Sequence, residues 1–197
     1  EYDNAEKLAN SIIKKNPDDQ LGWKVLGALL SIKGKKEEAL KANQKSIKLS
    51  PNDHIAHNNL GNTLRELGKF KEAETSYRKA IAIKHNYAEA YSNLGNVLQD
   101  LDRLDESELS HKKAISLKSD FTEAYINLAH TLNRLSKFDE AEIFCRKALE
   151  LRLDIPEAHN NLGNTLNKLG RHQEAIEIYN EAINLKPDYV EARNNLG

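Results

Sequence analysis

The chain repeats itself every 34 residues, and that period restricts its fold more than any other feature. Asn59-Leu60-Gly61-Asn62 returns as Asn93-Leu94-Gly95-Asn96, as Asn127-Leu128-Ala129-His130 and as Asn161-Leu162-Gly163-Asn164, and Asn195-Leu196-Gly197 begins it again. A fixed period of this length marks stacked supersecondary units, each too small to bury its apolar face alone. With position 1 set at Gln20, full repeats run 20–53, 54–87, 88–121, 122–155 and 156–189. Residues 1–19 then hold part of a preceding repeat and 190–197 the start of a further one, so the division predicts one array over 1–197.

Each repeat resolves into two amphipathic helices. Positions 4, 7, 8 and 11 carry Trp23, Leu26, Gly27 and Leu30, then His57, Leu60, Gly61 and Leu64, then Tyr91, Leu94, Gly95 and Leu98. That spacing puts all four on one stripe of a helix. Positions 20, 24, 27 and 28 do the same for a second helix, with Ala73, Tyr77, Ala80, Ile81 and Ala175, Tyr179, Ala182, Ile183. Small residues at positions 8 and 20 predict close approach of the paired backbones.

The turn chemistry agrees. Position 15 is Gly34, Gly68 and Gly170, a residue suited to the end of a helix. Position 16 is basic throughout (Lys35, Lys69, Arg103, Lys137, Arg171), and positions 18 and 19 are mostly acidic, as in Glu37-Glu38, Asp105-Glu106 and Asp139-Glu140. Cations after one helix and acids at the start of the next complement both macrodipoles, so the basic row reads as helix-end electrostatics rather than an anion-binding track.

On these residues the chain resembles a tetratricopeptide repeat array, whose pattern W…LG…Y…A…F…A…P it follows in phase along essentially its whole length. The resemblance implies an all-α, right-handed superhelical solenoid of antiparallel helix pairs whose first helices line a concave face. It further implies a non-catalytic module for protein–protein interaction. Departures are local: Ser107 stands at position 20, His111 and Cys145 at position 24, and within the full repeats position 32 is proline only at Pro51 and Pro187. They predict looser packing in the third and fourth repeats.

Composition removes several other functions. Lys plus Arg number 29 and Asp plus Glu 30, for a formal charge of −1, without the basic excess that nucleic acid or an anionic membrane surface requires. The longest nearly apolar stretch, Val25 to Ile32, is far short of the ~20 residues of a membrane-spanning helix. The lone cysteine, Cys145, permits no intrachain disulfide and suits a reducing compartment, from which a cytoplasmic location is expected.

The stripe formed by positions 2, 5, 9, 12 and 13, with position 6 beside it, is what a ligand in the groove would meet. Asparagine dominates it. Position 6 is Asn59, Asn93, Asn127, Asn161 and Asn195; position 9 is Asn62, Asn96 and Asn164, with His130 in the fourth repeat; position 5 adds Asn58, Asn160 and Asn194. An amide side chain offers donors and an acceptor to match a peptide unit, so such a row is suited to holding an extended peptide or a partner helix. The row resembles the asparagine ladder of O-linked N-acetylglucosamine transferases, and the alternative reading is therefore the substrate-recruiting arm of a larger enzyme such as a glycosyltransferase.

A two-carboxylate clamp of the kind that holds chaperone tails is not expected, since Lys24 and Asn59 match it but Ala28, Glu89 and Asn93 do not. Glu89, Glu123, Glu157 and Glu191 at position 2, with Glu66 and Asp100 at position 13, predict a mildly acidic groove that Arg134 and Lys168 turn basic further along.

No catalytic centre, cofactor or metal is expected. Cys145, His57, His111 and His159 fall at packing positions, His54 and His57 lack a third ligand, and each glycine of the repeats belongs to the repeat scheme. The register starts at position 16 and stops at position 8, without polar caps, which predicts a fragment of a longer array with repeats continuing past at least the C-terminus. A lone N-terminal capping helix is the alternative at the other end. Ile12, Ile13 and Leu196 would then be apolar edges on which a second copy could stack end to end.

Overall fold

The computed structural model describes residues 2–196; Glu1 and Gly197, placed above at positions 16 and 8 of flanking repeats, lie outside them. Among the described residues there are twelve α-helices and no strand. They are α1 (Tyr2–Lys15), α2 (Gln20–Ile32), α3 (Lys36–Leu49), α4 (His54–Glu66), α5 (Phe70–Ile83), α6 (Ala88–Asp100), α7 (Leu104–Leu117), α8 (Thr122–Arg134), α9 (Phe138–Leu151), α10 (Pro156–Lys168), α11 (His172–Leu185) and α12 (Val190–Leu196). The even-numbered helices are the first helices of the repeats and start at 34-residue steps. None is long and apolar enough to cross a membrane.

The helices gather into two compact units, Glu1–Leu101 and Asp102–Gly197. In the first, α2 pairs with α3 and α4 with α5, while α2, α4 and α6 lie side by side. Its core is two clusters: Ala9, Leu26, Leu30, Ala39 and Ala42, and a second around Leu64, Tyr77, Leu94 and Leu98. In the second unit α8 pairs with α9 and α10 with α11, with α8, α10 and α12 adjacent. Its core joins Leu128 and Leu132 to Phe144, and Tyr125, Cys145, Leu162 and Leu166 to Tyr179.

The residues that depart from the repeat pattern in the third and fourth repeats are not exposed by their departure. Ser107, His111 and Cys145 are all buried. Ser107 keeps its hydroxyl satisfied against Thr131 Oγ1 at 3.2 Å. Cys145, small where the second and fifth repeats have tyrosines, shares its cluster with Ala129, which stands where those repeats have glycine. Of the three apolar end residues, Ile13 and Leu196 pack against core clusters and only Ile12 is exposed.

Short turns join the two helices of each repeat, and their hydrogen bonds explain position 15. Lys35 N–H donates to Leu30 C=O at 2.9 Å and Gly34 N–H to Ser31 C=O at 2.9 Å, the paired bonds that close a helix on a left-handed residue. The same pairs recur at Gly68-Lys69, Ser136-Lys137 and Gly170-Arg171. Gly34, Gly68 and Gly170 have φ of +72°, +73° and +78°, but Asp102 and Ser136 hold φ of 58° and 59° at the same position. A side chain there costs about 1–2 kcal/mol. Ser136→Gly is therefore expected to raise stability by about 0.5–1 kcal/mol, visible as a higher melting temperature; no rise would place the compensation elsewhere in the turn.

The basic residues at position 16 follow the first helix but are also the N-caps of α3, α5, α7, α9 and α11, without a side-chain cap bond, where a cation does not complement the helix dipole; several of them instead tie repeats together. Lys35, Lys137 and Arg171 reach back to position 21 of the preceding repeat, to Glu6, Glu108 and Glu142 at 3.9, 2.8 and 2.7 Å. Arg103 and Arg171 also hold Glu106 and Glu174, three residues on, at 2.6 Å. Burial acts to raise the Glu108 carboxyl, but hydrogen bonds from Lys112 and Lys137 outweigh it and hold it below the ordinary glutamate value; Arg146 and Arg171 do the same for Glu142. A carboxylate with a lowered folded-state pKa stabilises above its unfolded pKa, and that contribution is lost as pH falls through the folded value. Melting temperature is thus expected to drop below about pH 4.5. The E108Q/E142Q double variant should be less stable near pH 7 and show a flatter acid limb; an acid limb of unchanged slope would assign the loss to other carboxylates.

Four of the loops between repeats are tethered by position 4, whose side-chain tip there bonds the backbone carbonyl at position 32 before it. Trp23 Nε1 donates to Pro17 C=O at 2.8 Å, Tyr125 OH to Ser119 C=O at 3.3 Å and Arg193 Nε to Pro187 C=O at 2.9 Å; His57 Nε2 meets Pro51 C=O at 2.9 Å. A flat or long side chain with one polar end serves each of these sites.

Candidate functional site

The asparagines of the first helices are not equivalent, and burial separates them first. Position 5, expected on the open stripe, is covered: Asn58 is 6% exposed and Asn160 is 4% exposed. In both cases the next repeat covers it, Asn93 Nδ2 donating to Asn58 Oδ1 at 3.0 Å and Asn195 Nδ2 to Asn160 Oδ1 at 3.1 Å. Asn58 and Asn160 are thus removed from the ligand-facing set. Asn194, which lies on the last described helix, is exposed.

Position 9 is held from within its own repeat. Tyr77 OH donates to Asn62 Oδ1 at 2.8 Å, and Tyr179 OH to Asn164 Oδ1 at 2.7 Å. Each phenol occupies one lone pair of the carbonyl and turns the amide N–H groups the other way. Those two donors have no further partner among the described residues.

The inter-repeat bond fails in two places, for a reason visible in sequence register. Asn161 would need an acceptor at position 5 of the fourth repeat, where Ile126 stands. Asn59 would need one at Lys24, whose ammonium is instead engaged by Asp53 at 2.7 Å. Among the described residues the half-buried side chains of Asn59, Asn96 and Asn161 make no hydrogen bond. Asn127 is half-buried and has a partner, and His130 is exposed.

Asn62 and Asn93 line a recess in the first unit, and His130, Asn161, Asn164 and Asn195 line one in the second, whereas Asn127 lines a separate recess of about 410 Å³ in the second unit with Ile126, Arg152 and Glu157. The recess of Asn62 and Asn93, of about 410 Å³, is also lined by Tyr77 and Phe70 together with Arg65, Glu66 and Asp100. That of Asn161 and Asn164, of about 380 Å³, is also lined by Tyr179 and Phe138, with Arg134 and Lys168 among its charged residues. A smaller hollow of about 290 Å³ brings Asn59 beside Asn62 and Ala28. Burial acts on the His130 imidazole to hold its pKa below the ordinary value although part of the ring is accessible; the Arg134 charge works in the same direction and Glu191 opposes both.

The expected charge gradient is altered by pairing. Asp100 is held by Arg65 at 2.5 Å, and Arg134 is paired with Asp102 at 2.7 Å. Glu123 lies 4.0 Å from Arg152. Lys24, one of the two residues that matched the carboxylate clamp, is spent on Asp53, which also accepts the N–H groups of Ile55 and Ala56 at the start of α4.

The single cysteine stands apart from these recesses. Burial pushes the Cys145 thiol up to about 12, so it carries no thiolate at neutral pH. No group of three or more His, Cys, Asp or Glu side chains among the described residues is placed to hold a metal ion. Sequence periodicity located the amides but missed Phe70, Phe138, Tyr77 and Tyr179 as lining residues, because positions 17 and 24 belong to the second helices. The co-occurrence of Tyr at 24 with Asn at 9 in the second and fifth repeats was the available signal.

Four family models, all described as TPR or tetratricopeptide repeats, match residues 42–75, 61–102, 88–118 and 120–188. No curated protein matches the chain. Among solved structures it is similar to YrrB, a TPR protein with an unusual peptide-binding site, at 24% identity, 96% of this chain, 98% of that one and a TM-score of 0.72. It is also similar to TTC0263, a thermophilic TPR protein in Thermus thermophilus, at 23% identity, 90% and 96% coverage and a TM-score of 0.75. A third is MamA, at 23% identity, 82% and 95% coverage and a TM-score of 0.72. At these identities the likeness is one of fold.

Proposed function

We propose that this chain, a member of the tetratricopeptide-repeat family, is a non-catalytic interaction module that holds an extended peptide by its backbone along the amides of its first helices. The observation that carries the reading is the state of those amides. Tyr77 and Tyr179 orient Asn62 and Asn164, and Asn59, Asn96 and Asn161 keep their hydrogen-bonding capacity unspent. A half-buried amide without a protein partner is costly unless water or a ligand completes it. An extended peptide supplies a donor and an acceptor at each residue, which is the complement such a row requires.

The site residues of this reading are Asn59, Asn62, Asn96, Asn161 and Asn164, with His130 and Asn127 beside them. Asn93 and Asn195 serve chiefly to join repeats. YrrB, similar in fold, is described as having a peptide-binding site, which is consistent with this use of the architecture. Within a longer protein the same module would bring substrates to a catalytic domain, the role suggested by the ladder's resemblance to that of O-linked N-acetylglucosamine transferases.

The test is to pan a randomised peptide library on the wild-type protein and on the N59A/N161A double variant. These two positions make no side-chain hydrogen bond among the described residues, so helicity by circular dichroism should be unchanged. The wild type should enrich binders that the double variant holds at least about tenfold more weakly, the scale of one or two lost hydrogen bonds. Equal retention by both proteins would move the binding surface off the amide row.

A further inference from the structure

The recesses of the two units share an architecture but differ in charge. The first is lined by Glu66 and Asp100 against a single Arg65. In the second, no aspartate or glutamate lines the wall, whereas Arg134, Lys168 and His130 do. Lys168 has no ion-pair partner among the described residues. The carboxylate that faces Arg134 is Asp102, whose side chain is 81% exposed, so this pair is weak and open to exchange.

The neutral groups around Lys168 are disposed as donors. Tyr179 occupies one lone pair of the Asn164 carbonyl, whose amide N–H groups have no partner among the described residues, and Ile126 deprives Asn161 of the internal acceptor that Asn93 and Asn195 enjoy. An unpaired ammonium with amide donors at its side suits a carboxylate, because ionised acceptors make the shorter and stronger hydrogen bonds. One unpaired cation matches a single negative charge. Residues of α8, α10 and α12 all contribute to the wall.

We infer that the recess of the second unit selects an aspartate or glutamate side chain within the bound peptide, seated between Lys168 and the amides of Asn161 and Asn164. The inference rests on the peptide-binding reading above and assigns part of its sequence preference to this unit. The corresponding recess of the first unit, with two carboxylates on its wall, lacks that preference.

The experiment is the same library panned on the wild type and on Lys168→Glu, with all peptide ends blocked by acetylation and amidation. Peptides recovered on the wild type should share an acidic residue at one position. Replacing that residue by its amide should weaken binding about tenfold or more in fluorescence anisotropy, in line with loss of a charge-assisted bond. Lys168→Glu should still capture peptides but lose the acidic residue or exchange it for Lys or Arg. Binders with no acidic position, or an acidic position that survives Lys168→Glu, would overturn the inference while leaving the peptide-binding reading intact. Binding that needs a free C-terminal carboxylate would overturn it in favour of a chain end. A wild type that enriches no peptide at all would sink the broader reading and the inference with it.

Discussion

Gly163→Ala is expected to destabilise the protein by about 1–3 kcal/mol, the range of overpacked cores, and to lower its melting temperature by roughly 2–4 °C for each of those kilocalories. A Cβ at Gly163 would lie 2.5 Å from Tyr179 Cε1, 2.6 Å from Cδ1 and 2.9 Å from Cζ. The ring cannot swing aside cheaply, since Tyr179 is 2% exposed and its hydroxyl is bonded to Asn164. Gly61 meets Tyr77 at the same 2.5 Å, so Gly61→Ala should behave alike.

The fourth repeat supplies the control from within the chain. There position 8 is Ala129 and position 24 is Cys145, and both are buried in one cluster. The methyl that glycine avoids is accommodated because the ring opposite is gone. The double variant G163A/Y179C is therefore expected to be more stable than the sum of its two single losses would allow, which a double-mutant cycle on thermal or denaturant melts would read directly. Additive losses would show that the glycine is kept for some reason other than the tyrosine.

The second large effect is expected at Leu132. Its side chain is fully buried between Leu128, Ala141 and Phe144, and Leu132→Ala should cost about 2–5 kcal/mol through lost burial and the cavity left behind. Leu153, in the loop before α10, is 72% exposed, and Leu153→Ala should change stability by no more than about 0.5 kcal/mol. Comparable losses at the two leucines would mean that Leu153 is covered in solution. A small loss at Leu132 alone would mean that α8 and α9 repack around the vacancy.

Period, helix pairing and the residues of the core were legible in the amino-acid sequence, because a 34-residue repeat averages out the noise of any single segment. Leu30, Leu64, Leu98, Leu132 and Leu166 come round in phase at position 11 of the helical stripe, and all five are buried. The candidate site was legible only as a set of residue types. Nothing in the spacing distinguishes Asn93 from Asn161, since both occupy position 6 of identical tetrads. Their difference lies in the preceding repeat, where Asn58 can accept a hydrogen bond and Ile126 cannot.

The amino-acid sequence by itself determined that the chain forms successive helix pairs and that one face of the first helices carries amides. Those properties depend on short-range periodicity and capping, which any one repeat contains. Only the tertiary structure decided which amides are spent and which are free, that Asn58 and Asn160 are buried, and that Lys24 serves Asp53 rather than a ligand. It also decided that Ala129 and Cys145 are buried together in one cluster. Each of these is set by the partner that packing brings within about 3 Å, and hydrogen-bond strength falls too steeply with distance for sequence separation to stand in for it.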